Sequence, residues 1–541
     1  MKVHIKSFSE KDTSLLALIE GSLKRNWDYP AYTDYGTENA YTYADVARQV
    51  CRLHAIFKRI GVQPGDKIAL CDKNSSHWAI SFIAIISYGA VVVPILSDFH
   101  IDQIQNIYRH SDSRLMVCSL KVAKDTGIKD ILDIEDLTLA NSDIDFPISD
   151  FLSLTSDDLK FFREDPDGLA LISYTSGSTG RSKGVMLPYR SIWSNVIFAD
   201  ERLGLPARCN TMAILPMAHM YGFAFDFIYE FCIGCHVHYL TKTPSPAIII
   251  KAFGEIKPAI VIAVPLVIEK VVTGKVFPKL RTPKMRALLK LPIVKGIIYN
   301  KVREQLVQSF GGEFYEVIVG GAAFSREVED FLAKIKFPYT VGYGMTECGP
   351  IIGYEDWQHF AKYSCGKAAP RMEVKIDSPD PAHTPGEILT KGTNVMLGYY
   401  KNPEETAEAI DSEGWLHTGD LGTLDKAGNI FIRGRKKTML LGANGQNVYP
   451  EEIEDTILSN SIFDECVVVQ RGEKLVALVY VSDESLRNNE LARETLISSL
   501  DQYKKEVNLA LPKFANITSF EVQTAEFEKT PKRSIRRYLY K

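Results

Sequence analysis

Residues 1–434 read as a large α/β body and residues 435–541 as a small α+β domain that closes the chain. Three observations predict this. Short β-branched runs recur along the body, helical patterns separate them, and glycine or proline punctuates the junctions, as in parallel sheets covered on both faces. Around Arg433-Gly-Arg435 the pattern turns to a charged connection followed by a helix start and a hairpin. Finally, 541 residues exceed what one hydrophobic core organises.

The elements follow in order. Lys67-Ile-Ala-Leu-Cys71 is the first short apolar run. Trp78 to Leu96 holds no charged residue and approaches the length of a membrane span. Ser81, Ser87, Tyr88, Gly89 and Pro94 interrupt it, and Val91-Val-Val93 after Gly89-Ala90 predicts a helix end followed by a buried parallel strand. Leu169-Ala-Leu-Ile-Ser-Tyr174, Ala259-Ile-Val-Ile-Ala263 and Glu316-Val-Ile-Val-Gly320 repeat the strand signal. Tyr449-Pro450-Glu-Glu-Ile-Glu454 places proline at a first helical position with acids in the first turn. Cys466-Val-Val-Val-Gln470 and Leu475-Val-Ala-Leu-Val-Tyr-Val481 then pair through Arg471-Gly-Glu-Lys474 as a hairpin.

Composition bounds the function. Hydrophobic residues make up 45% and charged ones 24%, as in a soluble globular protein, and a net charge of −4 gives no global attraction to nucleic acid. The first residues lack an apolar core of signal-peptide length, so a cytoplasmic location is expected. Nine cysteines in apolar surroundings fit reduced, buried thiols. Cys232-Ile-Gly-Cys235-His236 spells a haem-attachment sequence but has no export signal and no second cysteine pair to complete a zinc site. Chance explains it better.

The most constraining stretch is Tyr174-Thr-Ser-Gly-Ser-Thr-Gly-Arg-Ser-Lys-Gly-Val185. Its small side chains leave backbone N–H groups and hydroxyls open to an anion, and Arg181 and Lys183 add positive charge. Charge-assisted bonds to phosphate are worth about 1.5 to 3 kcal/mol each, so a nucleotide phosphate is the expected occupant. A P-loop requires glycine, lysine and serine or threonine in fixed spacing and opens into a helix. Here Ser182 precedes Lys183, Gly184 follows it, and Val185-Met-Leu187 predicts a strand, with a helix only after Pro188. The bland alternative is a flexible glycine-serine loop.

This segment resembles the phosphate-binding loop of the adenylate-forming family, which contains acyl- and aryl-CoA synthetases, nonribosomal adenylation domains and firefly-type luciferases. Further matches run down most of the chain. The resemblance implies stacked α/β subdomains with a barrel-like part, a mobile C-terminal domain, and coupling of a carboxylate to ATP before transfer to a thiol. It implies catalytic roles for Thr175 and Lys183 and phosphate binding by Ser176, Gly177, Ser178, Thr179 and Gly180. Gly320-Gly321-Ala322-Ala323 matches the segment along adenine, where two glycines leave room for a flat base. In Tyr343-Gly-Met-Thr-Glu347, Tyr343 would stack on adenine, Thr346 would contact the α-phosphate and Glu347 would hold Mg²⁺. One carboxylate beside phosphates is chemically sufficient for magnesium.

Gly414-Trp-Leu-His-Thr-Gly-Asp420 matches a signature whose aspartate clamps the ribose, since a carboxylate accepts two hydroxyl donors. Arg435 matches a second ribose contact, Lys437 the hinge position, and Gly445 a glycine that lets the pantetheine arm of coenzyme A pass. Leu215-Pro-Met-Ala-His219-Met-Tyr-Gly222 resembles the wall of the acyl pocket, so His219 would act there, with Tyr221, Val264 and Gly320 setting selectivity. A satisfied core histidine is the alternative. Val264-Pro-Leu-Val-Ile-Glu-Lys270 leans toward the fatty acyl branch, and Asp226 is the one acid that could meet an ammonium group.

Two features stand apart. Lys275 to Arg303 carries nine basic residues and no acid among apolar side chains. It reads as a solvated face, a seat for an anionic partner, or a peripheral membrane patch. At the C-terminus, Glu528-Lys-Thr-Pro-Lys-Arg-Ser-Ile-Arg-Arg537 departs from the family's Pro-Lys-Thr-x-Ser/Thr-Gly-Lys-Ile-x-Arg by placing Ser534 where the catalytic lysine belongs. Lys532 is expected to substitute. The expected function is an ATP-dependent fatty acyl-CoA ligase using Mg²⁺. The alternatives are an aryl-acid ligase, a ligase acting on an acyl carrier protein, and a catalytically impaired nucleotide- or lipid-binding homologue.

Overall fold

The computed structural model describes residue 8 and residues 14–176, 182–242, 245–441, 447–460, 462–472, 474–489, 491–529 and 535–540. An eight-stranded sheet runs in the order Gly398–Tyr399, Ser182–Pro188, Leu169–Ser176, Val91–Pro94, Lys67–Cys71, Ser113–Cys118, Ile131–Asp133, Thr138–Leu139. Its centre is parallel and buried on both faces, which is why Val91–Pro94 is uniformly apolar. The uncharged stretch before it is the helix Ser76–Ser87, capped by the Ser75 hydroxyl and ended by Gly89 at φ +88°. Among the described residues no helix is long and apolar enough to cross a membrane.

A second parallel sheet, Val261–Ala263, Val317–Val319 and Tyr339–Val341, fills the predicted strand positions near 260 and 318. Where a barrel-like part is expected, two small antiparallel sheets occur: Tyr343–Gly344, Ile351–Tyr354 and Lys367–Ala368, and the four strands Met372–Asp377, Gly386–Gly392, Leu416–Leu424 and Ile430–Arg435.

The main core extends from Phe8 to Ile430, whereas Val448 to Phe520 pack around a separate core. In that C-terminal part the helix Pro450–Leu458 begins at Pro450, and Glu465–Arg471 pairs antiparallel with Lys474–Tyr480, as predicted. The helix is tied to the turn at Thr438, whose hydroxyl donates to Glu451 Oε1 at 2.6 Å, and to the strand Ile430–Arg435 by Arg433 at 3.6 Å from Glu452.

Candidate active site

The strand Leu169–Ser176 turns back as Ser182–Pro188, with Thr175 opposite Lys183 and Ser176 opposite Ser182. A strand follows the turn directly and the helix Tyr189–Arg202 starts only after Pro188. The P-loop alternative therefore fails on context as well as spacing. Gly177, Ser178, Thr179, Gly180 and Arg181 lie outside the described residues. So do Gly445, Lys532 and Ser534.

Lys183 is already engaged. Its ammonium sits 2.7 Å from Glu405 Oε2 and 5.0 Å from the centre of the Tyr399 ring. Tyr399 reaches it because Gly398–Tyr399 pairs antiparallel with Met186 and Val185 at the sheet edge. The Tyr399 hydroxyl then donates to Glu347 Oε1 at 2.9 Å. Burial, then the nearby Glu347 charge, pushes the Tyr399 phenol well above its usual range, so it stays a donor. Thus a lysine and a carboxylate from distant segments meet through one tyrosine. Neither Tyr399 nor Glu405 is marked by the sequence, where Pro403-Glu-Glu405 reads only as a helix start.

Glu347 belongs to a single turn, Thr346–Cys348, that also buries Thr346. No cluster of three or more His, Cys, Asp or Glu side chains suited to a metal occurs among the described residues. A cation at Glu347 would therefore complete its shell with phosphate and water oxygens, as magnesium does.

Tyr343 and Asp420 form a second tyrosine–carboxylate pair. The Tyr343 hydroxyl donates to Asp420 Oδ2 at 2.6 Å, and Arg435 Nε lies 2.8 Å from Asp420 Oδ1 across the strand register Asp420↔Arg435. Burial raises the Asp420 carboxyl above its ordinary range, while Arg435 and the Tyr343 hydroxyl act against that shift. Lys437 follows in the exposed turn beyond the strand. Its neighbour Lys436 contacts Glu387 at 2.8 Å.

A cleft of about 560 Å³, counting its solvent-open part, lies beside these groups and is lined by His219, Tyr221, Phe225, Gly320, Tyr343 and Thr346 among others. His219 caps the short helix Met220–Phe223, its Nδ1 accepting from the Tyr221 N–H at 3.3 Å. A lining role and a structural role thus coincide. Gly222 is required there, since a Cβ would stand 2.6 Å from the Pro216 carbonyl. The helix continues as a π-helical turn, Ala224–Ile228, a feature frequent at functional sites and silent in the sequence.

The Tyr221 hydroxyl donates to the Ile318 carbonyl at 3.1 Å, laying its ring against Gly320. A Cβ on Gly320 would meet that ring at 3.1 Å, so glycine keeps the wall flat. Gly321, at φ +85°, also lines the cleft, and Ala322 is exposed just beyond it. Asp226 does not face the cleft. It accepts the N–H groups of Ile214 and Leu215 at 3.3 and 3.1 Å, and burial lifts its carboxyl far above the usual range, which removes it as an ammonium ligand. Cys232 and Cys235 are buried free thiols, Cys235 lying 3.3 Å from Cys209, with no opening for a haem.

A profile described as AMP-binding enzyme matches residues 19–400, and one described as AMP-binding enzyme C-terminal domain matches residues 437–540. The chain is 27% identical over 503 residues to 4-coumarate--CoA ligase 2 of Solanum tuberosum, covering 88% of this chain and 86% of that protein. It is 26% identical over 589 residues to the long-chain-fatty-acid--CoA ligase FadD15 of Mycobacterium bovis, covering 94% and 92%. The fold superposes on the o-succinylbenzoate CoA synthetase of Bacillus subtilis, solved with ATP and magnesium ion, with a TM-score of 0.76, 19% identity and coverage of 96% and 98%.

Proposed function

Because the chain belongs to the AMP-binding enzyme family and ends in that family's C-terminal domain, we propose that it joins a medium- or long-chain fatty acid to AMP at the expense of ATP and then passes the acyl group to coenzyme A. The observation that carries this reading is the meeting of Lys183, Tyr399 and Glu347 beside a cleft whose far wall is apolar. ATP phosphates entering there find one cation and one hard-oxygen carboxylate. Glu347 fits magnesium, and the bound ion would spread charge developing on the phosphate oxygens. Asp420 and Arg435 take the ribose, Tyr343 the adenine, and Thr346 the α-phosphate. Thr175 and the loop residues after it hold the remaining phosphates.

Exchange of partners is energetically accessible. The Lys183–Glu405 pair is partly exposed and worth at most about 1 kcal/mol. Charge-assisted bonds to phosphate, at about 1.5 to 3 kcal/mol each, displace it. His219 and Tyr221 shape the acid side, where Phe198, Leu203 and Phe225 present carbon surface to an acyl chain.

Two cations of the C-terminal segment are engaged within its own domain. Lys529 is bound by Glu465 and lies 3.0 Å from Glu526, and Arg537 is bound by Glu454, so both are held inside the C-terminal domain. The family resemblance puts the missing lysine at Ser534, and Lys532, two residues away, is the residue we assign to supply the cation. Wild-type pyrophosphate release by Lys532→Ala, with a large drop in Arg533→Ala, would transfer the role to Arg533. Lys437 serves as the hinge and Gly445 passes the pantetheine arm in the same reading.

A second reading, an aryl acid, is favoured by the flat Tyr221 ring against Gly320. ATP–pyrophosphate exchange measured across straight-chain and aryl acids separates the two. Adding coenzyme A or a carrier protein then identifies the acceptor. Exchange with none of these acids would overturn the ligase reading and leave a nucleotide- or lipid-binding homologue.

A further inference from the structure

The excursion from Pro265 to Glu316 connects the parallel strands Val261–Ala263 and Val317–Val319. It returns to the sheet just before Ile318 and Gly320, which line the cleft. Within it the helix Pro292–Ser309 buries only Leu306. A surface helix ordinarily turns an apolar stripe inward. Here the first two turns do the reverse: Ile293 and Ile297, four residues apart on one face, are 81% and 64% exposed, and Leu291 before them is 53% exposed.

From Lys275 to Arg303 the charge has one sign, and the first acid, Glu304, follows at the far end of this stretch. Lys284, Arg286, Lys290, Lys295 and Lys301 are exposed around this apolar face. Of the nine basic residues between Lys275 and Arg303, only Arg281 pairs with a carboxylate among the described residues, through Glu327 at 2.5 Å. Solvation alone accounts for the lysines but not for three large aliphatic side chains left in water beside them. A protein groove would answer the aliphatic residues without needing so many unpaired cations. Shallow apolar insertion combined with a basic rim is the chemistry of an interfacial helix.

We propose that the segment from Lys284 to Lys301 docks this protein on an anionic phospholipid surface, with Leu291, Ile293 and Ile297 entering the headgroup boundary and the lysines meeting lipid phosphates and carboxylates. The docking stands apart from the acid chosen by the cleft, since vesicle binding needs neither ATP nor an acid.

Cosedimentation of the full chain with vesicles tests it, using phosphatidylcholine alone and phosphatidylcholine with about 30% phosphatidylserine. Binding is expected only to the anionic vesicles and falls at least about tenfold when salt rises from about 50 to about 500 mM. Ile293→Ser with Ile297→Ser, and separately Lys284→Glu with Lys290→Glu, each lower anionic-vesicle binding by about tenfold or more without changing the melting temperature or ATP–pyrophosphate exchange. Absence of binding at low salt, equal binding to both vesicles, or indifference to either double variant overturns the proposal. A dimer by light scattering that the Ile293→Ser, Ile297→Ser chain converts to monomer, without vesicle binding, also overturns it and makes a second copy the occupant.

Discussion

Glu347 and Asp420 are two carboxylates prepared in different ways. Each accepts a tyrosine hydroxyl, Glu347 from Tyr399 and Asp420 from Tyr343. Asp420 is 4% exposed and already neutralised by Arg435, while Glu347 is half-buried and meets Lys183 only through the Tyr399 ring. A carboxylate completed by protein partners suits recognition of neutral hydroxyls. One left with unspent charge suits a cation. On the proposed reading, burial and pairing, rather than residue type, would separate a sugar clamp from a metal ligand.

The largest expected effect breaks the comparison at its open member. Glu347→Gln keeps the Tyr399 bond but removes the charge, and is expected to cut pyrophosphate exchange by about 10² to 10³ with the melting temperature unchanged. Activity within about threefold of wild type would remove the metal role. Next, Asp420→Asn should raise the KM for ATP by about 10- to 100-fold while changing kcat far less, because it loses a ground-state clamp. An unchanged KM would detach Asp420 from the nucleotide.

A pH profile sharpens the contrast further. Burial raises the Asp420 carboxyl above the ordinary range, so acidification from neutrality protonates it before an exposed aspartate. Protonation removes its attraction for Arg435 and one acceptor oxygen. ATP binding measured by calorimetry should therefore weaken with falling pH in the wild type and flatten in Asp420→Asn.

Tyr399→Phe releases one Glu347 oxygen, and the magnesium concentration for half-maximal activity should shift by about three- to tenfold with a near-normal kcat. The smallest effect belongs to Glu405→Gln. Freeing Lys183 from a partly exposed pair worth at most about 1 kcal/mol should lower the KM for ATP by about two- to fivefold. A rise in KM instead would make Glu405 a support for Lys183 rather than its competitor.

Much of the scaffold was legible. The strand pair around the glycine-hydroxyl turn, the helix and strand of 76–94, the proline-started helix at 450 and the following hairpin all occur as read. Their signals are local: hydrophobic periodicity, a proline at a first helical turn, a glycine at positive φ. Legibility of the site was uneven. Tyr343, Thr346, Glu347 and Asp420 carry motif signatures, but Tyr399 and Glu405 sit in a stretch whose pattern announces only a helix start.

The sequence by itself determined that small side chains and a lysine flank a turn between two strands, because backbone conformation there depends on residues within a few positions of one another. It likewise determined the run of nine basic residues without an acid between them from Lys275 to Arg303. Only the tertiary structure decided that Tyr343 reaches Asp420 across 77 residues, that Tyr399 carries Lys183 to Glu347, and that Ile293 and Ile297 face outward. Those outcomes depend on how separate sheets and helices pack against one another, and no window of neighbouring residues encodes that distance.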